Sequence, residues 1–257
     1  MATRAAARIA AVAAGAAFAN ALPAVTCLRA VRRWTPRLAG RGDPGHVALT
    51  FDDGPDATGT ALFLDVLDDL GCRATFFLLG DQLRRRPALA RRMVAAGHEV
   101  AVHGWLHQNG LLARPGRVPA GIARTVRLIE DVCGVRPVWY RPPHGALSAE
   151  GLAGARACGL RPVLWTAWGK DWTGRATPAT ILATLRPDLA GGATLLLHDS
   201  DVTAAPGAWQ ATLDALPAIV RACRSGGLAV GPLRDHRIHP RLRRLPDTSM
   251  LGRNPVG

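Results

Sequence analysis

Seven short apolar runs, each separated from the next by an amphipathic or turn-rich stretch, constrain this chain more than any other feature. The runs fall at residues 46–51, 73–79, 98–103, 138–141, 161–167, 193–198 and 227–233. Helical patterns fill 60–70, 84–96, 120–133, 178–189 and 208–224, and Gly71, Gly97, Gly134 and Gly159 stand where helix C-caps belong. Short, nearly continuous apolar strands bounded by helices predict an α/β fold with a parallel sheet covered on both faces. About seven such units favour a (β/α) barrel, or an incomplete one, over an open sheet. The chain has 257 residues, 48% of them hydrophobic, which suits one domain of about 200 residues plus tails. We place that domain at 45–233, between an N-terminal segment (1–44) and a loosely held basic tail (234–257).

Chemistry collects at the predicted strand ends. Asp52 and Asp53 close the first run, and Gly54-Pro55 turns the chain directly after them. By itself Asp-Asp-Gly-Pro is a common turn sequence. Yet His103, Arg141, Asp171 and His198 end, or closely follow, four further runs, and in a parallel barrel these ends share one rim. Burying unpaired charge is costly, so such a gathering points to a cation or to proton transfer. His103 and His107, four residues apart, are predicted to share one face of a helical turn. Two imidazoles and one carboxylate form a metal-ligand set with open positions, leaving the second carboxylate free as a base.

The order of Thr50–Pro55, His103–His107, Arg141-Pro142-Pro143-His144-Gly145, Asp171-Trp172 and Leu196-Leu197-His198 resembles the carbohydrate esterase family 4 polysaccharide deacetylases, the NodB-homology family. The resemblance covers roughly residues 45–233 and implies a distorted, incomplete (β/α) barrel. It also implies metal-dependent removal of N-acetyl groups from an acetylated chitin-type or peptidoglycan glycan. Asp53, His103 and His107 would bind a divalent metal, usually zinc. Asp52 would be the general base, oriented by Arg141. His198 would be the general acid, with Asp171 holding its ring and raising its pKa. The backbone N–H of His144 would help stabilise the oxyanion, and Trp172 and Leu196 would line the acetyl pocket. An O-acetyl esterase on xylan-type polysaccharide and a non-catalytic glycan-binding protein are the alternatives. Three positions depart from the family pattern: Gly104 stands in place of Ser or Thr, His144 in place of an aromatic residue, and Trp168 where many members have Asp.

The remaining sequence bears on location and partners. The net charge is +13, but it comes from 31 arginines and a single lysine, Lys170, scattered along the chain without interleaved aromatics. That argues against nucleic-acid binding and for a basic surface that attracts anionic envelope polymers or lipid headgroups. Arg4 and Arg8 precede an Ala-rich apolar run, and Ala19-Asn20-Ala21 offers a signal-peptide cleavage site. The apolar run continues to Leu28 before Arg29, Arg32 and Arg33, so an uncleaved anchor or a surface-lying helix competes with cleavage. Either way the chain is expected to be secreted or associated with the cell envelope. The five cysteines are widely spaced and read as small buried residues rather than a disulfide framework. His46 and His98 are expected to be structural, whereas His236 and His239 are expected to be solvated in the tail. Trp105, Trp139, Trp165 and Trp209 are assigned to core or rim packing.

Overall fold

The computed structural model of the protein describes residues 2–238. His239 and the rest of the tail, with its arginines at 241, 243 and 244, lie outside the described residues.

Strand β1 (His46–Asp52) is buried along its whole length, as suits the largely apolar sequence of a strand covered on both faces. It pairs in parallel with β2 (Thr75–Leu79) on one side and β7 (Thr194–His198) on the other. The sheet continues through β3 (Glu99–Gly104), β4 (Trp139–Tyr140) and β5 (Arg161–Pro162), and on the far side through β6 (Ala167–Trp168). The order is therefore β5-β4-β3-β2-β1-β7-β6, with a short β8 (Ala229–Gly231) pairing the N-terminal half of β1. All described pairings are parallel, giving the incomplete (β/α) barrel that the strand count anticipated.

Outer helices α3 (Gly59–Asp69), α6 (Arg117–Cys133), α7 (Ala149–Ala157), α8 (Pro178–Leu185) and α9 (Ala208–Ser225) cover the sheet. In α6 the buried positions are Ile122, Thr125, Val126 and Ile129, the spacing that puts one helical face on the core. Asp56 accepts hydrogen bonds from the backbone N–H groups of Thr58 and Gly59, satisfying donors at the start of α3. The largest apolar cluster packs Phe51, Phe63, Phe76 and Leu67 between the sheet and α3.

Several expectations are corrected. The run 161–167 is not one strand. It supplies β5 at one edge of the sheet and β6 at the other, and residues 163–166 cross the seam between them. Val163 N–H still donates to Tyr140 O of β4 at 2.9 Å, but the residues after it bond elsewhere: Leu164 N–H donates to Leu38 O at 2.6 Å and Thr166 N–H to Thr194 O at 3.0 Å. The predicted helix 84–96 is two helices, α4 (Gly80–Arg85) and α5 (Pro87–Ala95). Pro87 drives Arg86 out of the helical region, to φ −135°, and starts the second helix.

At the termini, helix α1 (Ala2–Ala21) runs through the expected leader, followed by a 3-10 turn (Leu22–Cys27) and a short α2 (Arg29–Arg32). The stretch Ala10–Cys27 is long and apolar enough to cross a membrane. The chain then packs on the barrel. Ala39 is buried, Gly40 O accepts from Thr194 Oγ1 at 2.6 Å, and Leu38 fills the seam. At the other end His236 is fully buried, not solvated. Its Nδ1 lies 2.8 Å from Nδ1 of His46, and Ile238 is buried beside it. His46 and His98 are buried structural residues as expected. All five cysteines are free, and Cys27 is exposed rather than buried.

Candidate active site

Asp52 ends β1, 3% exposed, and its Oδ1 accepts a hydrogen bond from Arg141 Nη1 at 2.7 Å. Arg141 follows β4 and is fully buried. It also donates to Thr50 Oγ1 at 2.8 Å and to Leu164 O at 2.9 Å, and it lies over the Phe77 ring. Burial lowers the Arg141 pKa, and the Asp52 carboxylate opposes that effect. This clamp fixes one oxygen of Asp52 and leaves Oδ2, 3.7 Å from His103 Nε2, on the pocket side.

Asp53 has φ +79°, a left-handed conformation that turns its carboxylate away from that of its neighbour. Its Oδ1 lies 3.3 Å from His103 Nε2 and 3.5 Å from His107 Nε2. Its Oδ2 accepts from Thr203 Oγ1. Burial by itself would raise the Asp53 pKa. The facing imidazole of His103, with those of His198 and His107, holds it below the usual carboxylate range instead.

The two imidazoles do not share a helical turn. His103 is in β3, whereas His107 lies in the loop beyond it. Gly104, at φ +104°, reverses the backbone between them and brings the ring centroids to 5.3 Å.

The trio fits a metal ion. One ligand atom from each of Asp53, His103 and His107 can be chosen so that all three lie within 4.8 Å of one another. Oδ1 of Asp53 is buried without a hydrogen-bond partner. His103 Nδ1 must donate to Arg141 O, 2.8 Å away, because a carbonyl only accepts; neutral His103 therefore presents its Nε2 lone pair to Asp53. Burial lowers the pKa of His107 to about 4, keeping it a neutral ligand near pH 7.

His198 ends β7 on the opposite side. Its Nδ1 lies 2.9 Å from Asp171 Oδ1, its backbone N–H donates to Asp171 Oδ2, and Thr212 Oγ1 also donates to Oδ2. Burial favours neutral His198, but the Asp171 charge and hydrogen bond outweigh it, helped by Asp53 and Asp52. The net effect pushes the His198 pKa up to about 10.

A pocket of about 340 Å³ opens between the two carboxylate–histidine systems, lined by Asp52, His103, His107, His144, Trp172, Leu196 and His198 among others. Asp53, Arg141 and Asp171 lie behind these groups as buried partners. His144 sits in a 3-10 turn (Pro143–Gly145) at φ +57°, its ring edge-on to that of His107 at 4.3 Å. Trp168 and Trp172 stack at 4.5 Å as one aromatic wall, and Trp165 continues it. Sequence reasoning missed Thr203 and Thr212, because a threonine in a loop or helix carries no signal of its own.

The polysaccharide deacetylase family profile matches residues 39–163. The chitooligosaccharide deacetylase of Rhizobium leguminosarum bv. trifolii is 34% identical over 200 residues, covering 74% of this chain and 91% of that protein. The chain belongs to the polysaccharide deacetylase family. A second family relative, the peptidoglycan-N-acetylglucosamine deacetylase of Bacillus cereus, is 29% identical over 77% of this chain and 70% of its own length. The family 4 carbohydrate esterase of Streptomyces lividans, solved with acetate, superposes with a TM-score of 0.66 at 31% identity. That match covers 76% of this chain and 97% of the esterase. The protein is therefore a polysaccharide deacetylase, and the metal-fitting trio agrees with a metal-dependent family.

Proposed function

We propose that the protein is a zinc-dependent N-deacetylase acting on an N-acetylated glycan of the chitooligosaccharide or peptidoglycan type at the cell envelope. The observation that supports this reading is that Asp52 and His198, partners at the ends of adjacent strands, line one pocket with His103 and His107, which with the buried Asp53 form the metal-fitting trio. Asp53, His103 and His107 would hold a divalent ion, which would supply Lewis acidity, lowering the pKa of water from 15.7 toward about 7 and polarising the acetyl carbonyl.

Asp52, held through one oxygen by Arg141, takes the proton of the attacking water on its other oxygen. As the acyl carbon becomes tetrahedral, the backbone N–H of His144 donates to the developing oxyanion. A donor of this kind is worth about 2.7–4 kcal/mol. Collapse expels an amine, a poor leaving group until it gains a proton. His198, kept protonated by Asp171, gives that proton. Leu196 and Trp172 enclose the acetyl methyl and keep out bulkier acyl groups.

Acetate release from N-acetylglucosamine oligomers, peptidoglycan fragments and acetylxylan tests the reading. Chelation abolishes release, and zinc restores it. Asp52→Asn lowers kcat by about 10²–10⁴-fold, the range for losing a general base, while zinc content stays unchanged because Asp52 is not a ligand. Release from acetylxylan alone overturns the N-acetyl assignment. Release that survives chelation overturns the metal.

A further inference from the structure

Residues 29–41 fold over the seam between β5 and β6, and with Trp165, Thr166 and Asp188 they enclose a cavity of about 520 Å³. Four arginines line it, Arg29, Arg32, Arg33 and Arg41, against one carboxylate. Asp188 is taken by Arg29. Among the described residues the other three have no acidic partner. Arg32 is half-buried, donates to Trp165 O at 3.0 Å and lies over the indole 4.8 Å from its centroid. The first 42 residues of the chain contain no Asp or Glu, so nothing local offsets this charge. Gathering guanidinium groups around a concave surface without counter-ions costs free energy that an anionic ligand recovers.

The cavity adjoins the catalytic pocket. Trp165 lines both, with Arg32 over its ring and Trp168 at 5.7 Å. A glycan whose acetyl group lies against Leu196 and Trp172 reaches the arginines by passing Trp165. Arginine forks match phosphate oxygens bidentately. Three unpaired guanidinium groups exceed what one carboxylate neutralises. A phosphate monoester brings between about 1.5 and 2 negative charges and three strong acceptors.

We propose that the arginine-lined cavity beside Trp165 is a subsite for a phosphate group carried by the acetylated glycan, so that the enzyme prefers a phosphorylated saccharide to a neutral one. This rests on the deacetylase reading of the neighbouring pocket. The subsite lies beyond Ala21 and persists whether or not the leader is removed. Leu22, Val25 and Leu28 expose apolar side chains just before the arginines in the chain, so the competing source of phosphate is a lipid headgroup.

The test compares di-N-acetylchitobiose with its 1-phosphate on the full chain. Calorimetric binding and acetate release are measured for the wild type and for Arg33→Gln/Arg41→Gln, two exposed residues outside the catalytic machinery. The wild type favours the phosphate by at least about tenfold, as one or two charge-assisted hydrogen bonds allow. The double variant loses that preference and treats the neutral sugar unchanged. Equal binding of both sugars by the wild type, or a preference that survives the substitutions, overturns the proposal. Tight binding of the phosphate without acetate release from either sugar upholds the subsite and sinks the deacetylase reading. Phosphatidylglycerol vesicles form the last arm. Arginine-dependent vesicle binding together with equal sugar affinities assigns the cavity to lipid and overturns the proposal.

Discussion

In the proposed mechanism His198 works as an acid only while Asp171 holds it. The largest single effect on the ring is burial, which opposes charge, and the Asp171 carboxylate reverses the balance, so the folded state binds this proton more tightly than the unfolded chain. The resulting stability is fully present below the ordinary histidine pKa of 6.5 and is lost as pH rises through about 10. Activity follows the same proton, with kcat declining on the alkaline side only near that upper value. Asp171→Asn removes the main raising influence and brings the decline down toward neutrality, which a kcat–pH profile reads directly. Asp199 shifts in the same direction for a different reason. Its carboxyl is buried with Oδ1 unpartnered, and burial raises its pKa from 3.8 to about 7. Its contribution therefore favours the fold below pH 3.8 and is lost as pH rises through about 7. Asp199→Asn abolishes this dependence and stabilises the protein at pH 8 by up to roughly 4 kcal/mol, at 1.36 kcal/mol per pKa unit. Denaturant titrations at pH 5 and pH 8 give the difference.

Elements whose residues carry a local signal were legible in the sequence, and those fixed by distant contacts were not. The strand ends bearing Asp52, His103 and His198 follow from apolar runs broken by polar residues, and these three residues share the pocket as expected. The β5–β6 break and the burial of His236 depend on Leu38, Thr194 and His46, partners far away in sequence. The His103–His107 spacing misleads because four residues suit a helical turn and a tight loop equally well. Gly104 decides between them. At φ +104° it bears no side chain, and an added Cβ finds no atom closer than 3.5 Å, so only the backbone conformation opposes substitution. This chain therefore relies on glycine at a position where the family usually has Ser or Thr. Gly104→Ala costs on the order of 1–3 kcal/mol for a residue held in that region. It also displaces His107 and so weakens zinc affinity. Thermal unfolding and zinc titration of the same variant separate the two effects.

The whole molecule closes its barrel with a piece of chain that precedes the first strand. The sheet leaves β5 and β6 unpaired with each other, and residues 163–166 cross between them with Leu38 bonded to Leu164 and Gly40 bonded to Thr194. Leu164 O in turn receives Arg141, which holds Asp52, so the N-terminal segment supports the proposed base through two intervening residues. Removing residues 1–21 takes away the apolar helix and leaves these bonds intact. Such a chain is expected to keep the unfolding temperature of the parent, gain solubility and retain acetate release. Removing residues 1–41 is different, because it strips the partners of Leu164 N–H and Thr194 Oγ1 and exposes the site where Ala39 was buried. These two hydrogen bonds at about 1 kcal/mol each, with those from Arg32 to Trp165 O and His236 to Gly40 O and the exposed apolar surface at about 25 cal/mol per Å², amount to several kcal/mol. Acetate release falls with stability in that chain, since the peptide carrying Leu164 O no longer has a fixed position from which to hold Arg141. If the longer deletion unfolds at the parent temperature and turns over at the parent rate, the segment is a linker and the barrel closes without it.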